Sequence, residues 1–322
     1  MNQDINYSFI IPHKNIPKLL QRCLHSIPRR DDVQIIVVDD NSDPENVDFK
    51  NFPGLYDPFV EVYLTKDGKG QNFARNFALT KAKGKWLLFA DADDFYNYSI
   101  NTILDEYVNS DYDIVFFKHD SVDSDLYTRK KRMLHYNEHI DNLVKSTQNS
   151  KKTKADIALR KCPLNWSRLY KSELLKKNNI SFDNVSIATD VAFGYLTGHH
   201  AVSISADPRV LYIFTVRSGS VRNQKITDDK QLDLLYTLFK RYKFFHNKIK
   251  YREIPKEINI VYNFYFHNRA YFTKAMDILQ NLKFTPKQIF TFCIFDIIFL
   301  KPTRRVLWVL SLPGKFLKFF NR

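Results

Sequence analysis

The chain has 322 residues, 44% of them hydrophobic, and its 18 Tyr and 27 Phe can bury a large core. That composition excludes a disordered chain, and a total of 8 Gly excludes a glycine-rich repeat. The formal net charge is +14, yet residues 1–125 carry 13 Lys and Arg against 21 Asp and Glu, whereas residues 240–322 carry 17 against 4. The basic end calls for a polyanion, whether anionic lipid, nucleic acid or a phosphorylated substrate. Cys23, Cys162 and Cys293 are too few and too scattered for a disulfide framework or a zinc site, which points to a reducing compartment. The polar start, Met1-Asn2-Gln3-Asp4-Ile5-Asn6, predicts no signal peptide and a cytosolic chain.

In chain order, residues 7–11 form a short β-rich run stopped by Pro12. Residues 17–27 place Leu19, Leu20, Cys23, Leu24 and Ile27 at helical spacing. Residues 33–38 are continuously apolar, as a buried parallel strand is. A third strand is predicted at 59–64, a helix at 72–82, a fourth strand at 85–90, a helix at 100–108 and a fifth strand at 113–118. This alternation predicts a doubly wound parallel sheet. Residues 121–154 are polar and charged and predict loops with at most one helix. Further strands are predicted at 165–170 and 208–216, then long amphipathic helices at 232–245 and 258–282.

Two apolar runs stop abruptly at carboxylates. Gln34-Ile35-Ile36-Val37-Val38 ends in Asp39-Asp40-Asn41-Ser42, and Trp86-Leu87-Leu88-Phe89-Ala90 ends in Asp91-Ala92-Asp93-Asp94. Ligands of open α/β sheets bind at the carboxyl ends of strands, so the two ends read as one site. An Asp-x-Asp pair suits a hard divalent cation whose shell a phosphate completes. The competing readings are plain: a solvated acidic turn, with Asp94 capping a helix, and Asn41-Ser42-Asp43-Pro44 as a turn.

Five stretches in order resemble a family 2 glycosyltransferase of the GT-A fold, of the bacterial surface-polysaccharide type. They are Ser8-Phe9-Ile10-Ile11-Pro12-His13-Lys14-Asn15, Val37-Val38-Asp39-Asp40-Asn41-Ser42, Gly70-Gln71-Asn72-Phe73-Ala74-Arg75-Asn76, Asp91-Ala92-Asp93-Asp94 and Thr189-Asp190-Val191-Ala192-Phe193. The resemblance covers roughly residues 7–220. Lys14 departs from it where an aromatic is usual, and Thr189 replaces the first acid of the later motif.

The resemblance implies a mostly parallel Rossmann-like sheet with flanking helices, plus a C-terminal helical appendage. The expected domains are a transferase domain at 1–225 and a basic, aromatic-rich helical region at 226–322. Within the first, 1–118 is the nucleotide-sugar half and 119–225 the acceptor half. It implies donor-binding roles for Pro12, Asn15, Asp40, Arg75, Asp91 and Asp93. Asp40 would accept from a uracil-like base, Asp93 would ligate Mn²⁺ or Mg²⁺, and Asp91 would lie beside it, nearer the ribose. Asp39 reads as structural. Arg75 either contacts the diphosphate or braces the acidic loop. Asp190, otherwise a helix cap, becomes the base of an inverting transfer. Trp166 stacks on an acceptor sugar or fills a hydrophobic gap, and Arg217 reaches phosphate from a loop.

The implied partners are a nucleotide-sugar donor and a glycan or lipid-linked acceptor, with no nucleic acid. Basic and bulky apolar residues alternate in the tail, which predicts docking of 284–322 on an anionic membrane surface. The alternative is packing on the catalytic domain. Rival readings are a haloacid-dehalogenase-type phosphatase, a nucleotidyltransferase and a non-catalytic membrane adaptor. The first puts its Asp-x-Asp on the opening strand, the second needs a glycine-rich N-terminal loop, and the third leaves the carboxylates unexplained.

Overall fold

The computed structural model describes residues 4–66, 68–146, 153–217, 226–246 and 253–296. Its contacts divide the chain into two compact units, Met1–Gln224 and Lys225–Arg322.

The first unit is built on one eight-stranded sheet, in the order β3-β2-β1-β4-β7-β6-β8-β5. Its strands are β1 (Tyr7–His13), β2 (Val33–Asp40), β3 (Val60–Thr65), β4 (Trp86–Phe89), β5 (Phe95–Tyr96), β6 (Ile114–Asp123), β7 (Arg168–Lys171) and β8 (Ile204–Val216). Strands β3, β2, β1 and β4 are all parallel. The sheet is mostly parallel, as expected: β6 also pairs parallel with β8, while β7 runs antiparallel to both β4 and β6, and β5 antiparallel to β8. In the parallel half, α1 (Pro17–His25) joins β1 to β2 and α2 (Gln71–Lys81) joins β3 to β4, and α3 (Ile100–Tyr107) leads from β5 to β6. Leu20, Cys23 and Leu24 form the buried stripe of α1, and Pro17 opens it where a missing N–H costs nothing.

Pro12 does not stop the first strand. Ile10 accepts from Ala90 on the β4 side, and pairing with β4 goes no further than Ile10. Pro12, two residues on, directs its missing N–H to that same side, where no ladder bond is lost. The polar run 118–123 is likewise strand, because β6 pairs with β8 out to Asp123 across a bulge near Lys118. The region 121–154 then holds α4 (His135–Lys145) and the start of α5 (Lys154–Arg160). Two further helices are α6 (Ser172–Lys177) and α7 (Val191–His200). All three cysteines are free and buried.

The second unit, as far as described, contains α8 (Asp228–Phe245), α9 (Asn259–His267), α10 (Arg269–Asn281) and α11 (Pro286–Phe295). The helix predicted at 258–282 is broken at Asn268, which adopts an extended conformation, accepts from Tyr271 N–H and caps α10. Thr285 and Gln288 form a reciprocal capping box at the start of α11. Phe284, Ile289, Phe292 and Cys293 are buried in this unit's own core. The front of the segment expected to dock on membrane is therefore core, and 297–322 lie outside the described residues. Among the described residues no helix is long and apolar enough to cross a membrane.

Candidate active site

The parallel half of the sheet brings both carboxylate clusters to one edge. Asp39 and Asp40 end β2, Asp91 to Asp94 follow β4, and β1 lies between them. This is the crevice outside the carboxyl ends of strands where open α/β sheets bind ligands.

Asp39 is structural, as expected. It accepts from His13 Nδ1 at 2.7 Å and from the Ser42 amide at 2.8 Å, and is almost fully buried. Burial alone would raise its pKa; the hydrogen bonds from His13 and Ser42 outweigh that and hold it below the usual range. His13 Nε2 accepts from Ile16 N–H, so the ring bridges β2 and the start of α1. Asn15, at φ 59°, turns the chain after β1 and accepts from Asp43 N–H at 2.7 Å. Its backbone N–H donates to Ser42 Oγ. Pro12 is buried opposite Val38. Pro12 and Asn15 thus shape the wall of the crevice.

Asp40 faces the neighbouring loop. Both its oxygens lie 3.0 Å from the Gly70 N–H, and Lys14 Nζ approaches one at 3.4 Å. Gly70 adopts φ 94°, a conformation that favours glycine, and it begins α2. Lys14, which departs from the family pattern, therefore supplies a half-exposed cation at this carboxylate.

The second cluster divides its work. Asp94 is fully buried and does not cap a helix: it accepts from Tyr212 O–H at 2.8 Å and from the Thr215 amide at 2.7 Å. Burial, with the charges of Asp93 and Asp91, pushes its pKa well up. The Tyr212 hydroxyl also accepts from the Asp91 amide, so one β8 side chain fixes the whole loop. Arg22, on α1, donates to the Asp93 carbonyl and to the Ser124 carbonyl. Sequence reading missed Tyr212, Thr215 and Arg22, because none belongs to a recognisable motif and each acts only through the pairing of distant elements.

Asp91 and Asp93 remain partly open. Arg75 donates to Asp91 Oδ1 at 2.6 Å and Arg217 Nε to Asp93 Oδ2 at 2.8 Å. Burial, then the Asp91 charge, raises the Asp93 pKa against the opposing pull of Arg217. Among the described residues no three His, Cys, Asp or Glu side chains converge as a metal cage. The pair does fit a hard cation shared with a ligand: the negative charge that raises Asp93 is what a cation relieves, and most of the shell would come from diphosphate and water.

Arg75 is buried and acts as a brace: its two terminal nitrogens hold Asp91, Asn72 Oδ1 and Gln71 Oε1, while its Nε is buried without a hydrogen-bond partner among the described residues. Asp190 begins α7 without its side chain capping the helix. Trp166 is corrected: it is 4% exposed and stacks on Tyr212 with ring centroids 5.0 Å apart, so it fills the core beneath the acidic loop and offers no sugar platform. His119 packs edge-on against it, and burial pushes the His119 pKa down to about 4.

Residues 8–177 match the family described as Glycosyl transferase family 2. The chain is similar to a poly(ribitol-phosphate) beta-glucosyltransferase of Bacillus spizizenii, 28% identical over 64% of this chain and 32% of that protein. It therefore spans about a third of the length of that relative. The fold is similar to that of S. aureus TarS 1–349 in complex with UDP-GlcNAc, with a TM-score of 0.57 at 19% identity over 85% of this chain and 81% of that one. It is also similar to a mannosyltransferase from Pyrobaculum calidifontis in complex with GDP-Man and Mn²⁺, with a TM-score of 0.54 at 15% identity over 98% and 83% of the two chains.

Proposed function

The chain belongs to glycosyl transferase family 2, and from that premise we propose that it moves a sugar from a UDP-sugar to a hydroxyl of a surface polymer, with inversion. The observation that carries the reading is the shared edge of Asp40, Asp91 and Asp93, with Asp190 tied to it through α2. Asp40 and Lys14 face the base and its linkage to ribose, and Asp91 and Asp93 face the ribose and diphosphate. Arg217 exchanges its bond to Asp93 for one to phosphate. Asp93, with Asp91 beside it, would hold a divalent cation; when bound, that ion offsets charge on the departing diphosphate as a Lewis acid. The acceptor oxygen bonds to the anomeric carbon, the bond from that carbon to the phosphate oxygen breaks, and Asp190 takes the acceptor proton. A polymer of polyol phosphates is the acceptor class suggested by the name of the Bacillus relative.

UDP release from UDP-glucose and UDP-GlcNAc, with Mn²⁺, with and without poly(ribitol phosphate), tests this. We expect release to depend on the acceptor. Liberation of inorganic phosphate from simple esters would favour the phosphatase reading instead.

Membrane docking is proposed only for the basic sequence around Lys301, Arg304, Arg305, Lys315 and Lys318. Anionic headgroups would attract it by roughly 1 kcal/mol per basic residue near the surface. The full chain is expected to sediment with anionic liposomes at low salt. Exchange of Lys301, Arg304 and Arg305 for Gln should release it; unchanged sedimentation would refute the assignment.

A further inference from the structure

We propose that Gln71 and Thr189 are positioning residues that set Asp190 against the donor-side carboxylate Asp91. The inference rests on the reading of Asp190 as the base.

The two carboxylates are joined by one hydrogen-bonded path. Arg75 donates to Asp91 Oδ1 at 2.6 Å and to Gln71 Oε1 at 3.4 Å. Gln71 Nε2 then donates to Thr189 Oγ1 at 2.7 Å, directly before Asp190. A second path reaches the same backbone: Arg75 donates to Asn72 Oδ1, and Asn72 Nδ2 donates to the carbonyls of Thr189 and Asp183. Asn76 completes the clamp, donating to the Phe182 carbonyl and accepting from its N–H. The first two turns of α2 therefore grip the loop 182–189 along its length.

That loop needs gripping. Ala188 sits at φ 53°, a conformation a non-glycine residue holds only when its surroundings impose it. Thr189 is buried at 6% exposure, and its hydroxyl is turned to α2. The family pattern would place an acid here. In this chain a neutral hydroxyl takes the Gln71 amide, so Asp190 is the single carboxylate of the motif and an uncharged contact holds the residue before it.

The test compares the full chain with Thr189→Val, Gln71→Ala, the double variant and Thr189→Ser. Valine keeps the shape of threonine and Gln71 is exposed, so melting temperatures should stay close to the parent. Each single variant should lower kcat about tenfold or more, short of the ~10²-fold that a displacement of ~1 Å can cost. The donor KM should stay within about twofold. The double variant should be no slower than the worse single one, because both remove the Gln71–Thr189 contact. Thr189→Ser should restore turnover. Unchanged kcat, losses that multiply, or losses confined to KM would overturn the proposal. An active Asp190→Asn chain would instead refute the base itself. An inactive one, with fully active Thr189→Val and Gln71→Ala, would refute this inference alone.

Discussion

Asp93→Ala should reduce transfer by at least ~10²-fold while the chain stays folded. That is the scale of losing one preorganised group that stabilises developing charge. The fold should survive because the Asp93 carbonyl, which accepts from Arg22 and Thr215, holds the loop, and the carboxylate's bond to Arg217 is made by a partly exposed side chain. The carboxylate itself is a burden in the folded chain. Its pKa is raised by burial and by Asp91, so the folded state binds the proton more tightly than the unfolded state does. Its contribution to stability therefore falls as pH rises from the ordinary carboxylate range through its folded pKa. Removing it should flatten that slope, measured by denaturant unfolding at a series of pH values. Chelation with EDTA should silence the parent chain, and Mn²⁺ or Mg²⁺ should restore it. Full activity in EDTA would contradict the assignment of a cation to this pair.

Asp190→Asn should cost turnover at least ~10²-fold, the low end for loss of a general base. Asparagine keeps the shape but cannot take the proton. Donor affinity should hardly change, because Asp190 is assigned to the acceptor side and is tied to the donor edge indirectly, through Thr189, Gln71, Asn72 and Arg75. NMR of the parent chain's product should show inverted anomeric configuration. A retained configuration would exclude a single displacement with Asp190 as base.

Strands β1, β2 and β4 are legible in the sequence because they are buried on both faces and read as largely apolar runs. The abrupt carboxylates at their ends follow from the same geometry. Beyond Lys118 the strands expected at 165–170 and 208–216 and the helix at 232–245 are present as β7, β8 and α8, but how the strands pair is not legible, for two physical reasons. Strand β7 is four residues long, so its sequence does not show that it pairs antiparallel with both β4 and β6, and β5, which precedes Lys118, has two residues and no periodicity to read. Strand β6 carries polar residues in its second half, where pairing with β8 and not apolar patterning holds the backbone. The site shows the same division. Asp40, Asp91, Asp93 and Asp190 stand out as motif carboxylates, whereas Tyr212 and Arg22 become visible only when β8 and α1 are placed against the acidic loop. Trp166 illustrates the opposite error: an aromatic beside basic residues suggested a sugar platform, and packing against Tyr212 and Phe214 puts it in the core. The helical tail failed at Asn268 because its apolar spacing continues through a residue whose side chain bonds to Asp228 and to the next turn.

The central claim is that donor binding and proton removal belong to different carboxylates on one sheet edge. Calorimetric titration of UDP with Mn²⁺ into the Asp93→Ala and Asp190→Asn chains tests it most directly. The account predicts parent-like affinity for Asp190→Asn and a loss of about tenfold or more for Asp93→Ala, worth ~1.4 kcal/mol. Equal affinities in the two variants, or a loss confined to Asp190→Asn, would contradict it.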